Sequence, residues 1–160
     1  MMLPFLSPPV GFHFLLRIEG LLLEFPGMPD IGFTDATGLE AAITTEEYKE
    51  GGENRFAHKL PTAVTYSNLT LKRGLLIGSS AMRWFRESVE TFSFKPRDIT
   101  LILLNEEHIP LQAWNFVNAY PIKWTIEGFN AQQNGLVIES IEFAHQYFRR
   151  IDVTDLLGGI

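Results

Sequence analysis

The run from Ile99 to Trp124 constrains the fold of this chain more than any other segment. It reads ITLILLNEEHIPLQAWNFVNAYPIKW, two long apolar strands around a short acidic turn. The first strand, Ile99 to Leu104, has apolar side chains on both of its faces. A strand of an antiparallel sheet usually shows one face to water. We therefore expect that the chain covers both faces of this strand itself or shares one face with a neighbouring molecule.

Most of the remaining sequence also carries strand patterns. From Val10 to Ile18, apolar residues alternate with others, as expected for a strand with one buried face. Asn134-Gly135 is a hairpin turn signal, and further strand patterns lie at 21–25, 33–48, 66–74, 111–118, 122–127 and 136–148. The sequence predicts a single mainly β domain over residues 1–160. The expected architecture is a β-sandwich or barrel of six to eight antiparallel strands with one flanking α-helix.

One segment has the helical period instead of the strand period. Ser79 or Ser80 can cap this helix, and Pro96 ends any continuation. Its apolar residues recur at helical spacing and are predicted to pack on the sheet: Met82, Phe85, Val89 and Phe92.

The segment from Glu46 to Pro61 interrupts the strand pattern. It reads EEYKEGGENRFAHKLP, with two adjacent glycines, seven formally charged residues and little apolar periodicity. At sixteen residues it is longer than an ordinary hairpin connection. We predict an extended functional loop here, with a solvated mobile loop as the alternative.

Charge and composition limit the partners and the location of the protein. The formal net charge is −6 and the chain has no cysteine, so we expect no nucleic-acid-binding outer surface, disulfide or thiolate metal site. The N-terminal segment carries no cation before Arg17 and is interrupted by prolines, which argues against a signal peptide. No apolar run approaches the ~20 residues that a membrane helix needs. We expect a protein made in the cytoplasm, without a membrane anchor.

No arrangement of residues in the sequence indicates catalysis. Glu106-Glu107-His108 lies in the turn between two strands, where charged residues are expected in any case. Glu139 and Glu142 are three residues apart on a strand, so they point to opposite sides. No phosphate-binding glycine loop or nucleophile elbow is present, and no metal-ligand spacing relates the four histidines, His13, His58, His108 and His145. We predict no enzyme activity, no cofactor and no metal site.

Eight sequence blocks, in their order along the chain, resemble one family, the tube proteins of contractile phage tails and of related extracellular injection systems. The blocks are PPVGFHF, GFTDATGLEA, EEYKEGGENRFAHKLP, YSNLTLKRG, the Trp84-centred helix, DITLILLNEE, AWNFVNAYPIKW and ESIEFAH. The resemblance extends from about Pro9 to Arg150.

The resemblance implies a structural role in a particle. In that family six copies of a β-sandwich or barrel with a flanking helix form a ring around a central channel, and rings stack into a tube. The implied location is a phage tail or an injection-system particle assembled in a bacterium. The implied partners are the other copies of a homo-hexamer, adjacent tube rings, a baseplate or spike hub protein, a sheath outside, and cargo or DNA that passes the lumen without specific binding.

The resemblance also divides the chain into regions. It implies an N-terminal lead at 1–9, an inter-subunit loop at 46–61 that reaches the adjacent ring or neighbouring subunit, and a C-terminal tail at 151–160. The contacts between subunits or rings are expected from Glu46, Tyr48, Gly51, Gly52, Asn54, Arg55, Phe56, His58, Lys72 and Arg73.

Several roles stay open. The segment Leu21 to Ile31 is longer and more apolar than the entry hairpin of a bulk shaft protein, and its prolines, Pro26 and Pro29, cannot donate to a ladder. This favours a baseplate-proximal tube initiator over the bulk shaft tube protein. A tube-like protein of type VI secretion is a further alternative. From another class, the alternative is a monomeric β-barrel that binds a small ligand.

Overall fold

The computed structural model describes residues 11–20, 30–74, 79–128 and 137–157. Three sequence predictions lie outside these residues, namely the lead at 1–9, most of the run from Leu21 to Ile31, and the Asn134-Gly135 turn. The described part contains two helices, α1 (Ser80–Thr91) and α2 (Val153–Leu157), neither long and apolar enough to cross a membrane. Its ten strands are β1 (His13–Ile18), β2 (Asp30–Phe33), β3 (Asp35–Thr37), β4 (Ala41–Tyr48), β5 (His58–Tyr66), β6 (Leu69–Gly74), β7 (Arg97–Leu104), β8 (Pro110–Glu127), β9 (Ile138–Ala144) and β10 (Tyr147–Ile151).

Strand β8 connects the two sheets that form the body of the subunit. Its N-terminal half pairs with β7 on one side and β10 on the other, and its C-terminal half pairs with β9. The first sheet has the order β2-β1-β7-β8-β10, and the second has the order β8-β9-β6-β3. All pairings are antiparallel. The sequence predicted two strands where β8 lies, but Asn118 at φ 49° bends the chain without ending the strand, because asparagine tolerates this conformation.

The main core lies between the two sheets. Alternate residues of the strands point into it and are almost fully buried, among them Leu16, Leu71, Leu101, Phe116 and Phe143. The two-faced strand β7 divides its side chains between this core and a second, smaller cluster of Ile102, Leu104 and Ala113. Leu15, Ile151 and Leu156 of α2 pack against the second cluster. The chain therefore covers part of the second face of β7 itself.

Helix α1 packs on β8 with only part of the predicted face, since Phe85 packs against the core and contacts Trp124. Ser79 caps it, since the Ser79 hydroxyl accepts a hydrogen bond from the Met82 backbone N–H at 3.0 Å. The buried stripe is Ala81, Trp84 and Ser88, which has the same helical spacing as the predicted one. Val89 and Phe92 of the predicted stripe are 60% and 82% exposed. That part of the prediction was wrong, because the large indole of Trp84, which packs on Phe143, sets the rotation of the helix.

The predicted loop at 46–61 is mostly a β-hairpin. Strands β4 and β5 pair with each other along their whole length and form a separate two-stranded sheet. Glu46–Tyr48 and His58–Pro61 belong to these strands, so only residues 49–57 form the connection. The sequence did not predict this because period-two alternation arises only where one face of a strand is buried, and both faces of this hairpin are exposed.

Two further boundaries differ from the prediction. The stretch 33–48 is not one bent strand, because it contains the last residue of β2 and then β3 and β4 as separate strands. Gly38, at φ +93°, makes the turn between β3 and β4, and an added Cβ there would overlap the carbonyl oxygen of Asn68. The predicted C-terminal tail is structured up to Leu157, since Ile151 ends β10 and α2 follows it.

Candidate assembly surface

The β4–β5 hairpin projects from the body with almost every side chain in solvent. Between Ala41 and Thr65, every residue is exposed except Glu53 and Ala57, which are partly buried. Five large apolar side chains on it are each more than half exposed, namely Ile43, Tyr48, Phe56, Leu60 and Val64. A two-stranded hairpin is marginally stable in water on its own, and an exposed apolar surface of this size on a monomer marks an interaction site.

The apolar side chains lie on both faces of the hairpin. Ile43 lies opposite Val64, so these two share one face. Tyr48 lies five residues along β4, which places it on the opposite face together with its cross-strand partner His58. Between them the register shifts at Thr44/Thr45, where the hydroxyls of Thr44 and Thr62 are 2.9 Å apart. A partner that covers one face of this hairpin therefore leaves apolar side chains exposed on the other.

The tip of the hairpin is polar and held by local hydrogen bonds. The Glu53 carboxylate accepts from the backbone N–H of Arg55 at 3.1 Å and from its Nε at 3.0 Å. These hydrogen bonds, the side-chain one first, lower the pKa of Glu53 below its ordinary value. The ring of Phe56 stands edge-on to His58, with centroids 5.1 Å apart. The predicted contact residues Gly51, Gly52 and Asn54 lie exposed in the same connection.

The cation pair Lys72-Arg73 divides between the surface and the interior. Lys72 is exposed on β6, but the Arg73 side chain is 3% exposed and its Nε donates to Glu139 Oε2 at 3.0 Å. Its guanidinium carbon lies 4.4 Å from the centroid of the Phe33 ring. Glu139 Oε1 accepts a second hydrogen bond from Trp124 Nε1 at 2.9 Å. The prediction of an inter-subunit contact by Arg73 is therefore wrong, because its charge is neutralised inside the subunit.

A second exposed apolar surface lies at the C-terminal end of α1. We define the aromatic patch as Val89, Phe92 and Phe94. Phe92 and Phe94 meet edge-on with centroids 5.2 Å apart, and Phe94 meets Tyr120 at 5.9 Å. Phe92 is the C-cap of the helix in the left-handed conformation at φ 47°, where glycine is usual, and its ring is 82% exposed. The patch was not predicted from the sequence, because Val89 and Phe92 matched the stripe that was expected to be buried.

Two histidines that are far apart in the sequence meet at the other side of the body. His108 Nδ1 lies 2.9 Å from His13 Nε2, beside an apolar groove of about 600 Å³ lined by Leu15, Ile102 and Leu104. His108 belongs to the acidic turn, where the Asn105 side-chain oxygen accepts from two backbone N–H groups. Within the described ranges, no group of three or more histidine, aspartate or glutamate side chains could hold a metal ion.

The comparison with family models decides the class of the protein. The model described as T4-like virus tail tube protein gp19 matches residues 10–149, well over half of the chain. The chain belongs to the T4-like virus tail tube protein family. This is a structural family, so the sequence prediction that the chain is not an enzyme is confirmed. No curated protein sequence matches the chain.

Solved structures of tail tube relatives share the fold. A chain of the anti-feeding prophage baseplate, 6-fold symmetrised, matches with a TM-score of 0.76 and 24% identity over 96% of this chain and 99% of that chain. A chain of the sheath–tube complex of the PVC extracellular contractile injection system, in the extended state, matches with a TM-score of 0.71 and 26% identity. The match covers 92% of this chain and 93% of that chain. A chain from the structure of the anti-feeding prophage cap, which terminates the tube, matches with a TM-score of 0.72 and 25% identity. The match covers 96% of this chain and 97% of that chain. The mainly β prediction with a flanking helix is confirmed.

Proposed function

We propose that this tail tube protein is the inner-tube subunit of a contractile tail or injection system, and that six copies form a ring around a central channel. The family match and the likeness to a chain of a sheath–tube complex support the tube role. The central channel is the functional part of such a ring. The net charge of −6 per subunit disfavours tight binding of DNA or acidic cargo that passes through the channel. The sheath lies outside, and a baseplate or spike hub protein meets the first ring.

The observation that carries this proposal is the exposed apolar hairpin. Burying one large apolar side chain that is half exposed contributes roughly 1 kcal/mol, so the five on the hairpin represent a substantial driving force for association. In a ring, each subunit uses two different surfaces, since the head of one copy meets the tail of the next. The hairpin and the aromatic patch are two such surfaces on one chain. The exposed members of the predicted contact set stay part of this proposal; Lys72 lies on β6 and the others lie on the hairpin.

The first test is the assembly state. We expect native mass spectrometry of the purified protein to show hexamers, and negative-stain images to show six-fold rings with a central channel. An interface of this obligate kind buries about 2,000 Å² or more. A protein that stays monomeric at all concentrations, and also when mixed with its adjacent ring protein, would contradict the ring. A monomer that co-purifies with a small molecule in the groove beside His13 would instead support a ligand-binding β-barrel.

Within the tube, we infer the position next to the baseplate. The inference rests on the apolar, proline-containing segment Leu21 to Ile31, whose last two residues pair with Leu15 and Leu16 of β1 in the first sheet. An extra apolar segment that leads in the sequence to the edge strand β2 suits an outward contact with a different protein, such as a baseplate or spike hub protein.

The location of labelled copies tests this position. We expect gold-labelled protein to be found only at the baseplate end of assembled particles, and the purified protein to stop at single rings or short stacks. Deletion of the gene for this protein should then abolish particle assembly. Labelling along the whole shaft would contradict the initiator position and identify the protein as the bulk tube subunit.

A further inference from the structure

The hairpin is joined to the body by two short linkers. Gly38–Glu40 leads into β4, and Ser67-Asn68 leads from β5 into β6. The two linkers bind each other, since the Ser67 backbone N–H and hydroxyl donate to the backbone and side chain of Glu40. These bonds close the base of the hairpin but do not fix its direction relative to the two sheets. Direction has to come from contacts between the linkers and the body.

His145 supplies one such contact. It lies at the break between β9 and β10, and its Nε2 is 2.8 Å from the carbonyl oxygen of Ser67, 78 residues away in the chain. A carbonyl oxygen can only accept, so Nε2 carries the hydrogen and donates it. The other ring nitrogen, Nδ1, is buried and has no hydrogen-bond partner in the part of the chain that the structure describes. The imidazole is therefore held in one tautomer by the linker that it contacts.

Aromatic rings hold this imidazole in place from three strands. The ring centroid of His145 lies 4.9 Å from Phe116 on β8, 6.1 Å from Phe148 on β10 and 6.1 Å from Tyr66. Tyr66 is the last residue of β5 and also meets Phe148 at 5.5 Å. The end of the hairpin is thus packed into the body beside the same histidine that bonds its linker. Asn68 adds a hydrogen bond to Glu142 at 2.9 Å on the adjacent strand.

We propose that His145 is a positioning residue that fixes the direction of the β4–β5 hairpin relative to the body. The importance of this direction for assembly rests on the proposed function, in which the hairpin reaches a neighbouring subunit. With eight residues in β4 at about 3.3 Å per residue, the hairpin is roughly 25 Å long, so a rotation of about 10° at its base moves the tip by roughly 4 Å. A displacement of that size misaligns Tyr48 and Phe56, the exposed apolar side chains nearest the tip, with any partner surface.

The direction of the hairpin can be measured on the isolated subunit. The chain has no cysteine, so Gly51→Cys at the tip and Lys123→Cys on the body give two unique spin-label positions. An added side chain at Gly51 meets no atom, and Lys123 is exposed. The labelled protein is diluted with an excess of unlabelled protein, so that distances by pulsed electron paramagnetic resonance stay within one subunit.

Three substitutions decide the proposal. His145→Leu should broaden the distance distribution and shift it by several ångströms, because the bond to Ser67 is lost. His145→Gln should restore a narrow distribution, because its amide N–H₂ can donate from nearly the same place. His13→Leu, on the regular strand β1, is the matched control and should leave the distance distribution unchanged. An unchanged distribution in His145→Leu, or no restoration by glutamine, would overturn the proposal.

Two further measurements keep the outcomes separate. If His145→Leu does not fold, the ¹⁵N shifts of the His145 imidazole in the unsubstituted protein decide, since the proposal requires the Nε2–H tautomer and the Nδ1–H tautomer contradicts it. Ring formation by the same variants is measured independently by light scattering. If the unsubstituted subunit forms no rings, alone or mixed with its adjacent ring protein, the proposed function is refuted, while the distance distribution still tests the role of His145.

Discussion

Replacing Ile43 and Val64 together with serine is expected to abolish ring formation and to leave the subunit folded. The two side chains lie opposite each other on one face of the hairpin, each more than half exposed, and neither belongs to the core clusters of the body. If a neighbouring subunit covers them, their loss weakens each interface by about 1.5–3 kcal/mol, or roughly 10- to 150-fold in the association constant. Because every interface around the ring is weakened at once, closure of the ring fails.

The measurement combines assembly and folding. Light scattering and negative-stain microscopy report ring formation, and far-ultraviolet circular dichroism with thermal unfolding reports the fold. The matched control is the exchange of Ile43→Val with Val64→Ile, which keeps the apolar volume of the pair and should assemble normally. Normal rings from the double serine variant would show that this face of the hairpin is not an assembly surface. A loss of the β signal would show instead that the hairpin is needed for folding.

The sheets of the body were predictable because each strand has one face in the core. Leu69 and Leu71 of β6 are buried while Lys72 is exposed, and this contrast is what a period of two residues detects. The N-cap Ser79 was predictable for a similar reason, since its hydroxyl serves a local backbone N–H. Local hydrogen bonds and alternating burial can be predicted because they involve residues that are close together in the sequence.

The hairpin and the helix face were not predictable in the same way. The hairpin buries neither face within the subunit, so its apolar residues show no alternation that a period of two would detect. In α1, the stripe through Trp84 and the stripe through Val89 have the same spacing, and only the packing of Trp84 on Phe143 decides between them. Phe143 lies more than fifty residues along the chain, beyond the reach of any local pattern.

The same limit applies to the polar residues that matter most in the structure. Lys72 and Arg73 are adjacent cations in the sequence, but only Arg73 is buried, where it pairs with the carboxylate of Glu139, 66 residues away. His145 and Ser67 are 78 residues apart, and His13 and His108 are 95 apart. The family resemblance indicated an assembly function without such contacts, because it depends on the order of sequence blocks. It could not separate residues that hold the subunit together from residues that hold subunits to each other.

Replacing Glu139 with glutamine is expected to lower the free energy of unfolding of the subunit by about 3–5 kcal/mol. The substitution leaves the volume of the side chain unchanged but removes the charge that faces the Arg73 guanidinium, and both side chains are less than 5% exposed. In this variant the guanidinium stays buried and charged while the carboxylate that accepts from its Nε is lost, and that loss is the origin of the cost. The loss is measured from urea unfolding of the dispersed subunit, followed by tryptophan fluorescence.

A second substitution distinguishes the ion pair from simple packing. Arg73→Met in the Glu139→Gln background removes the buried charge, while the glutamine oxygen can still accept from Trp124 Nε1, which donates to Glu139 in the native protein. The double variant should therefore regain most of the lost stability, because replacing both members of a buried ion pair by neutral groups is often close to neutral. Lys72→Met, at the exposed neighbouring position, is the matched control and should change stability by less than about 0.5 kcal/mol. A double variant as unstable as Glu139→Gln alone would show that the geometry of Arg73 over the Phe33 ring, rather than its charge balance, stabilises this junction between the sheets.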